Sequence, residues 1–205
     1  MWYFLNLPLA SLGCGLLERD SSHIAQSLIS RPIWIGVFLG LWSGQLTTGL
    51  WLGALFELLY LDVFPIGVAV PSNATIAASV GILCALSPHS LPQSLATLYG
   101  LLAGRLYQFL EIWMRGRASR FNALLEATPV REISGKIRLL ILSWNARYVA
   151  LAAGFIYLAT LAGCSLLNIL WQEISLSLRR ALDFWFQILP YITLACAFHL
   201  FRWNR

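Results

Sequence analysis

Charged residues are scarce in this sequence, and their scarcity excludes most soluble proteins. Of the 205 residues, 11% are charged and 59% are hydrophobic. Soluble domains carry about 25% charged and about 45–50% apolar residues, so a water-soluble globule of this length could not bury so much apolar surface. The composition excludes a soluble enzyme, a disordered chain and a nucleic-acid-binding protein. It predicts a single all-α domain over residues 1–205, a polytopic membrane protein embedded in a lipid bilayer.

Cysteine and histidine are also few, and they are scattered. The four cysteines lie singly within apolar stretches, and the three histidines are isolated from them and from one another. This spacing contains no CxxC pair and no Cys/His cluster, so it implies neither a disulfide framework nor a zinc site. We expect no metal and no cofactor. The first fifteen residues lack a positively charged segment, which argues against a secretory signal peptide.

The net charge of +5 comes from basic residues that lie between apolar runs. The stretch 115–138 holds six of the fourteen Lys and Arg residues and is the only long polar stretch. Cytoplasmic loops of membrane proteins are enriched in these residues. We therefore predict a cytoplasmic loop over 115–138, with room for a surface helix.

Proline, glycine and polar turns divide the first half of the chain into short apolar segments. A spanning helix needs roughly 20 apolar residues, whereas the run Ile33–Val63 would be roughly 45 Å long as one helix. We predict that it breaks at the polar turn 43–49 into helices over 33–43 and 48–63. Pro32 lies just before the first of these, a position that proline favours at a helix start.

The next segment, residues 64–73, contains two prolines and a glycine and cannot be a continuous helix. Irregular backbone at membrane depth survives only inside protein or along a watery cavity. Interrupted segments of this kind indicate the binding site of a transporter. The predicted fold is therefore all-α with broken or re-entrant helices.

Further helices are expected on either side of this region. The apolar start up to Leu17 is long enough for a half-span or an interfacial helix. Downstream, we predict helices over 74–86, 95–114 and 184–203, the last interrupted at Pro190. The run 139–170 is again long for one span, and Asn145 and Arg147 interrupt its apolar pattern. Two structures for residues 139–170 are therefore possible from the sequence: a re-entrant segment or a single long helix.

A few polar side chains inside or beside apolar segments are the candidates for function. Glu57 lies among leucines, where it could accept hydrogen bonds from a substrate, carry a proton, or simply mark a helix end at the interface. Ser72 and Asn73 could bind a polyhydroxylated ligand, and could equally cap the helix at 74. Gln45 lies in the polar turn, where turn chemistry is the alternative. Arg147 needs a partner within the membrane, for which Glu57 is a candidate.

Glycines recur every four residues on the two segments around the turn. They lie at 36, 40 and 44, and again at 49 and 53. This spacing puts them on one face of each helix, and small faces allow membrane helices to approach closely. We predict close helix packing on these faces, either as packing alone or around a site or against a partner.

Taken in order, these residues resemble a known family. The resemblance lies mainly in residues 31–85 and is carried by Arg31-Pro32-Ile33, Gly44-Gln45, Gly49, Gly53, Glu57, Ile66-Gly67-Val68-Ala69 and Pro71-Ser72-Asn73. These segments resemble the mannose/sorbose-type IIC permease subunit of the phosphoenolpyruvate-dependent sugar phosphotransferase system. A looser resemblance continues at Asn145-Ala146-Arg147. The family has carboxylates at the positions of Gln45 and Asn73 and a longer C-terminal part.

The resemblance implies a multi-pass protein of the bacterial inner membrane that works in an oligomeric complex. A IIC subunit pairs with a IID membrane subunit and conducts a hexose inward, and IIA and IIB phosphotransfer proteins phosphorylate the sugar. IIC is not itself an enzyme. On this basis Glu57, Ser72, Asn73, Gln45 and Gly67 are expected to bind substrate.

Arg147 and Pro71 are expected to support that site. The alternative is a non-transporting membrane scaffold or sensor that docks phosphotransfer proteins. The amides at Gln45 and Asn73 and the short C-terminal part favour this alternative, whereas Glu57 and the broken helices argue against it.

Overall fold

The computed structural model describes residues 5–19, 29–61, 70–88, 91–126 and 133–203. For residues 118–126, 133–140, 200, 201 and 203, the structure describes the helical backbone and not the side chains. These residues form helices and contain no strand. The elements are α1 (Leu7–Glu18), α2 (Pro32–Ser43), α3 (Leu46–Leu59), α4 (Ala74–Leu86), α5 (Gln93–Glu126), α6 (Ile133–Ala162), a π-helical segment (Gly163–Leu167), α7 (Asn168–Glu173) and α8 (Leu176–Trp203).

The first four helices are short, as predicted. Each has 12 to 14 residues, which corresponds to roughly 20 Å and is less than a hydrocarbon core of about 30 Å. The predicted break in the run Ile33–Val63 is confirmed, because α2 ends at Ser43 and α3 begins at Leu46. Gly44 adopts a left-handed conformation with φ of 73° at this turn, which glycine accommodates without strain.

The glycine faces of α2 and α3 pack against each other, so the predicted close packing is confirmed and its partner is the other helix of the pair. A methyl group on Gly49 would lie 2.5 Å from the Gly36 carbonyl oxygen and 2.7 Å from Gly40 Cα. One on Gly53 would lie 2.9 Å from the Pro32 carbonyl oxygen. No real Cβ fits at these distances. The two backbones therefore touch along the length of a helical hairpin, with its turn at Gly44.

Helix α4 forms the centre of the molecule. Nearly all of its side chains are buried, and α1, α2, α3, α5 and α6 all contact it. Because neighbouring helices cover it on all sides, α4 presents no face to lipid or water. Its two ends are therefore the places where polar groups can gather at the core of the protein.

The second half of the chain has long helices. The π-helical segment joins α6 and α7 into one helical run, so of the two alternatives left open for 139–170 the structure shows the long helix, which passes through Asn145 and Arg147 without a break. The irregularity lies at Gly163–Leu167 instead. Among the described helices, Ile141–Glu173 and Leu176–His199 are long and apolar enough to cross a membrane.

Two other boundaries differ from the sequence prediction. Much of the stretch 115–138 continues α5 and α6 as helix rather than loop, since α5 ends at Glu126 and α6 begins at Ile133. Helix α8 begins at Leu176, eight residues before the predicted 184, and includes Pro190. Favourable helix-forming side chains such as Arg, Leu and Glu extend helices beyond their apolar parts, and apolarity alone does not show this.

Candidate functional site

Asn73 starts the central helix and caps it. Its backbone is extended, and its side-chain oxygen accepts a hydrogen bond from the Ile76 backbone N–H at 3.0 Å. The predicted N-cap is thus confirmed, and it satisfies one of the N–H groups that a helix start leaves without a partner. The Asn73 backbone N–H donates to the Gly104 carbonyl at 3.3 Å, which fixes this end of α4 against α5.

The Asn73 side-chain amide also faces two carboxylates. Its Nδ2 donates to Glu18 Oε1 at 3.1 Å and lies 3.5 Å from Glu111 Oε2. Glu18 is the last residue of α1, and Glu111 lies within α5. We call Glu18, Asn73 and Glu111 the α4 N-terminal cluster. Three helices that are far apart in sequence thus bring an amide and two acids to one point.

Arginines balance the charge of this cluster. Arg115 Nη2 lies 2.7 Å from Glu111 Oε1, one turn along α5. Arg19 follows Glu18 and is only 1% exposed. Its guanidinium donates to Asn145 Oδ1 and lies 4.5 Å from the centre of the Tyr148 ring, a cation–π contact with α6. Buried charges of opposite sign in one site reduce the cost of burying either.

Two polar atoms beside the cluster have no hydrogen-bond partner among the described residues. They are the Tyr107 hydroxyl and Arg19 Nε, and both are buried. The Tyr107 ring packs on Phe155, with 5.2 Å between the ring centroids. The hydroxyl is close enough to Glu18 and Glu111 to interact electrostatically with both. Since buried donors are normally paired, these two mark a place where a polar ligand or water would be stabilised.

The irregular segment before α4 is held by two contacts. The hydroxyls of Ser72 and Tyr60 are 3.1 Å apart. The Val70 carbonyl accepts a hydrogen bond from the Gln108 side-chain amide. These contacts fix the described part of this segment, which includes Pro71, between α3 and α5. Gly67, which the sequence places in the same site, lies outside the described residues.

Glu57 has a different partner from the one that the sequence suggested. Its Oε1 lies 3.1 Å from Arg31 Nη1, and the two side chains are 22% and 38% exposed. Arg147 is exposed on α6, so the predicted Glu57–Arg147 pair is wrong. Because Arg31 immediately precedes α2 and Glu57 is near the end of α3, the ion pair closes the open end of the helical hairpin.

Gln45 lies at the opposite end of the hairpin. The twelve residues between Gln45 and Glu57 correspond to roughly 18 Å of helix. Gln45 lines a cavity of about 620 Å³ together with residues at the C-terminal end of α4, including Ser87. Asn73 is at the N-terminal end of the same helix. The structure therefore separates the predicted site residues: Ser72 and Asn73 lie together, whereas Gln45 is at the far end of α4.

Sequence reasoning missed most of the residues around Asn73. Glu18 and Arg19 directly follow the apolar start of the chain, and Glu111 lies within the helix predicted over 95–114, so none of the three was a candidate. The sequence signal that could have identified these residues is an ionisable side chain within or beside an apolar segment. Such a side chain is costly in a membrane unless it is paired or functional. That argument was applied to Glu57 alone, which forms a separate ion pair with Arg31.

Comparisons with known proteins agree with this architecture. A family model described as "PTS system sorbose-specific iic component" matches residues 4–202. A solved structure described as "Structure of membrane protein" has a TM-score of 0.75 and 14% identity, covering 98% of this chain and 80% of that chain. The structure of the mannose transporter ManYZ with microcin E492 has a TM-score of 0.59 and 17% identity, covering 98% of this chain and 79% of that chain. No curated protein matches.

The two structural similarities establish the fold, and the family model covers nearly the whole chain. The short helices, the broken segment before α4 and the long apolar helices of the second half are all features of an all-α membrane protein. The chain belongs to the sorbose-specific IIC component family of the phosphotransferase system.

Proposed function

We propose that this chain is the sugar-conducting IIC subunit of a mannose/sorbose-type phosphotransferase system in the bacterial inner membrane. It conducts a hexose inward together with a IID membrane subunit. IIA and IIB proteins phosphorylate the sugar, and the chain itself catalyses no chemical step. The family supports the permease role, and a mannose transporter shares the fold.

The α4 N-terminal cluster is the observation that carries the proposal. A sugar presents several hydroxyls, each of which donates one hydrogen bond and accepts others. Glu18 and Glu111 supply acceptors, and the Asn73 amide supplies donors. The Tyr107 hydroxyl and Arg19 Nε add two donors that no described residue uses. A neutral, polyhydroxylated ligand matches this mixture better than an ion of either sign would.

Within this site the residues have distinct roles. Asn73 and Ser72 contact the sugar from the broken segment, and the two carboxylates contact it from α1 and α5. Arg115 holds Glu111 in position through their ion pair, and Arg19 links the end of α1 to Asn145 of α6. Glu57 acts indirectly, through the ion pair with Arg31 that holds the α2–α3 hairpin.

The lipid-facing surface is consistent with a partner in the membrane. Large apolar side chains are exposed along α8, among them Phe184, Ile192 and Phe198. In a bilayer such a face contacts lipid or another membrane subunit. A IID subunit is the partner that the family implies, and the two chains would form an oligomeric complex.

The alternative, a non-transporting scaffold or sensor, has one observation in its favour. The Asn73 amide already donates within the protein, so its contacts with Glu18 and Glu111 could serve stability alone. A scaffold would bind the phosphotransfer proteins without conducting sugar. Uptake and complex formation therefore need to be measured on the same preparation.

The test is phosphoenolpyruvate-dependent uptake of labelled hexoses into vesicles that contain this chain, its cognate IID subunit and the cytoplasmic phosphotransfer proteins. We expect uptake that yields sugar phosphate and disappears when this chain is omitted. Asn73→Ala should abolish it, and the matched control Arg147→Ala, at an exposed position, should not. A stable complex of all subunits without uptake would overturn the permease and support the scaffold.

A further inference from the structure

The cavity at the other end of α4 has no role in the proposal above. It lies between the α2–α3 turn and the connection from α4 to α5, and its volume is about 620 Å³. Small-molecule sites usually have roughly 300–1,000 Å³. We call it the turn cavity. Its polar lining consists of Ser43, Gln45, Thr48, Ser87 and Gln93.

None of the residues that the structure describes around the turn cavity carries a charge. Its polar groups are two amides and three hydroxyls, and its remaining walls are apolar, including Pro88 and Pro92. Amides and hydroxyls bind neutral polar molecules, while an ion placed there would lose hydration without gaining a counter-charge. The lining therefore selects an uncharged ligand with several hydrogen-bonding groups and apolar C–H surfaces between them.

Part of this polar lining is available to a ligand. Ser43 donates to the Leu39 carbonyl at 2.8 Å, and Ser87 donates to the Cys84 carbonyl at 3.2 Å, so both hydroxyls are anchored. In contrast, the side chains of Gln45, Thr48 and Gln93 make no hydrogen bond to any described residue.

The three available side chains come from two helices. Gln45 occupies the cap position of α3 without making a side-chain cap hydrogen bond, and Thr48 lies in the first turn of that helix. Gln93 begins α5, so side chains at the starts of α3 and α5 line one space.

From this arrangement we propose that the turn cavity is a second binding site for the unphosphorylated sugar, at the opposite end of α4 from Asn73. The inference rests on the proposed function, because it takes the ligand to be the transported hexose. The thirteen residues of α4 separate the two sites by roughly 20 Å. A hexose that crosses the protein thus has a neutral site at one end of α4 and a charged, hydrogen-bonding site at the other.

The lining also predicts which form of the sugar binds. A hexose phosphate carries negative charge, and the described lining offers it no cation. The turn cavity should therefore bind the hexose and not its phosphorylated product. Such a preference would prevent product from occupying the path that substrate uses.

Thiol protection tests the site without requiring transport. The background is Cys196→Ser, since Cys196 is exposed and Cys14, Cys84 and Cys164 are buried. Thr48→Cys places a thiol in the lining, and Thr47→Cys is the matched control at the neighbouring exposed position outside it. The complex with the IID subunit is treated with N-ethylmaleimide with and without saturating hexose or hexose phosphate.

We expect hexose to slow alkylation of Thr48→Cys by about tenfold, as a ligand at near-saturation would, and to leave Thr47→Cys unchanged. Hexose phosphate should protect neither. Equal protection at both positions, no protection at Thr48→Cys, or protection by the phosphate would each overturn the inference. If the parent complex transports sugar and Thr48→Cys is unprotected, only this inference fails. If Thr48→Cys is protected without uptake, the site stands and the permease function fails.

Kinetics distinguish direct contact from a closing motion that merely hides the thiol. Thr48→Val and Gln93→Leu each remove a hydrogen-bonding group while keeping a similar volume. Each should raise the KM for uptake by about threefold to tenfold, the loss expected for one neutral hydrogen bond, with little change in the maximal rate. Thr47→Val should change neither. An unchanged KM in both lining variants would show that the sugar does not touch these side chains.

Discussion

The side-chain amide of Asn73 donates a hydrogen bond to Glu18 Oε1 at 3.1 Å, although 55 residues separate the two in sequence. The same side chain caps α4 through its oxygen. One residue thus determines where the central helix begins and which acidic group of α1 lies beside it. An aspartate at this position could cap the helix but could not donate to Glu18.

Asn73→Asp separates these two functions. Aspartate caps helices about as well as asparagine does, so the fold should survive. The change removes the donor to Glu18 and Glu111 and adds a third carboxylate beside them, which raises their mutual repulsion. We expect hexose uptake near neutral pH to fall by about tenfold or more, the loss expected for a hydrogen bond to a charged group. Uptake at the parent rate, with an unchanged unfolding temperature, would contradict the donor role.

The packing of α2 on α3 predicts a large effect for a small substitution. Gly49→Ala places a methyl group 2.5 Å from the Gly36 carbonyl oxygen, so the hairpin must separate. Overpacking of this kind costs about 1–3 kcal/mol. Gly154→Ala is the matched control, because its methyl group meets nothing within 4 Å. Thermal unfolding in detergent should show a lower midpoint for Gly49→Ala only, and equal midpoints would refute the close approach.

Substitution of Arg19, whose guanidinium is buried, should lower the stability of the protein more than substitution of the exposed Arg147. Arg19→Ala removes the contacts with Asn145 and Tyr148 and leaves the acids of the α4 N-terminal cluster with less compensating charge. Loss of a buried hydrogen bond to a charged group costs about 1.5–3 kcal/mol. An exposed substitution such as Arg147→Ala usually changes stability by less than about 0.5 kcal/mol. Thermal unfolding of both variants measures the difference. A larger loss of stability for Arg147→Ala than for Arg19→Ala would contradict the buried position of Arg19 and the exposed position of Arg147.

Arg31 and Glu57 should show energetic coupling. The variants Arg31→Ala, Glu57→Ala and the double variant form a mutant cycle across the 3.1 Å ion pair. For two partly exposed side chains we expect a coupling of about 1 kcal/mol in the free energy of unfolding. A cycle built from Arg147→Ala and Glu57→Ala should give none, since those residues are not paired. Coupling between Arg147 and Glu57, with none between Arg31 and Glu57, would instead support Arg147 as the partner of Glu57.

The stretch 115–138 should face the cytoplasm, where the phosphotransfer proteins are. In a Cys196→Ser background, Ser119→Cys should react with an impermeant maleimide in inside-out vesicles and not in intact cells. The positive-inside rule predicts this orientation from the basic residues of the stretch. Reaction from the outside would place these residues on the other face and would contradict the predicted cytoplasmic orientation.

The sequence alone identified the elements whose physical causes are local. These elements are the break of the apolar run at Gly44, the start of α2 at Pro32 and the cap of α4 at Asn73. They could be predicted because each depends on backbone geometry within a few residues. The glycine spacing predicted close helix packing for the same reason, whereas the contact between α2 and α3 is known from the structure. In contrast, Asn145 and Arg147 did not interrupt their helix, since a polar residue can stay helical when its side chain finds a partner or the surface.

The site needed the tertiary structure. Asn73 and Ser72 were identified by sequence, but the charged groups around Asn73 come from the end of α1 and from α5. No local rule connects Glu18 to residue 73 or Arg31 to residue 57, because these pairs form only when helices distant in sequence pack together. Sequence determined that this is a membrane protein with a broken segment before its central helix. Only the packing of the helices decided which charges meet there, because the cost of burying a charge is offset by whichever partner the fold brings within reach.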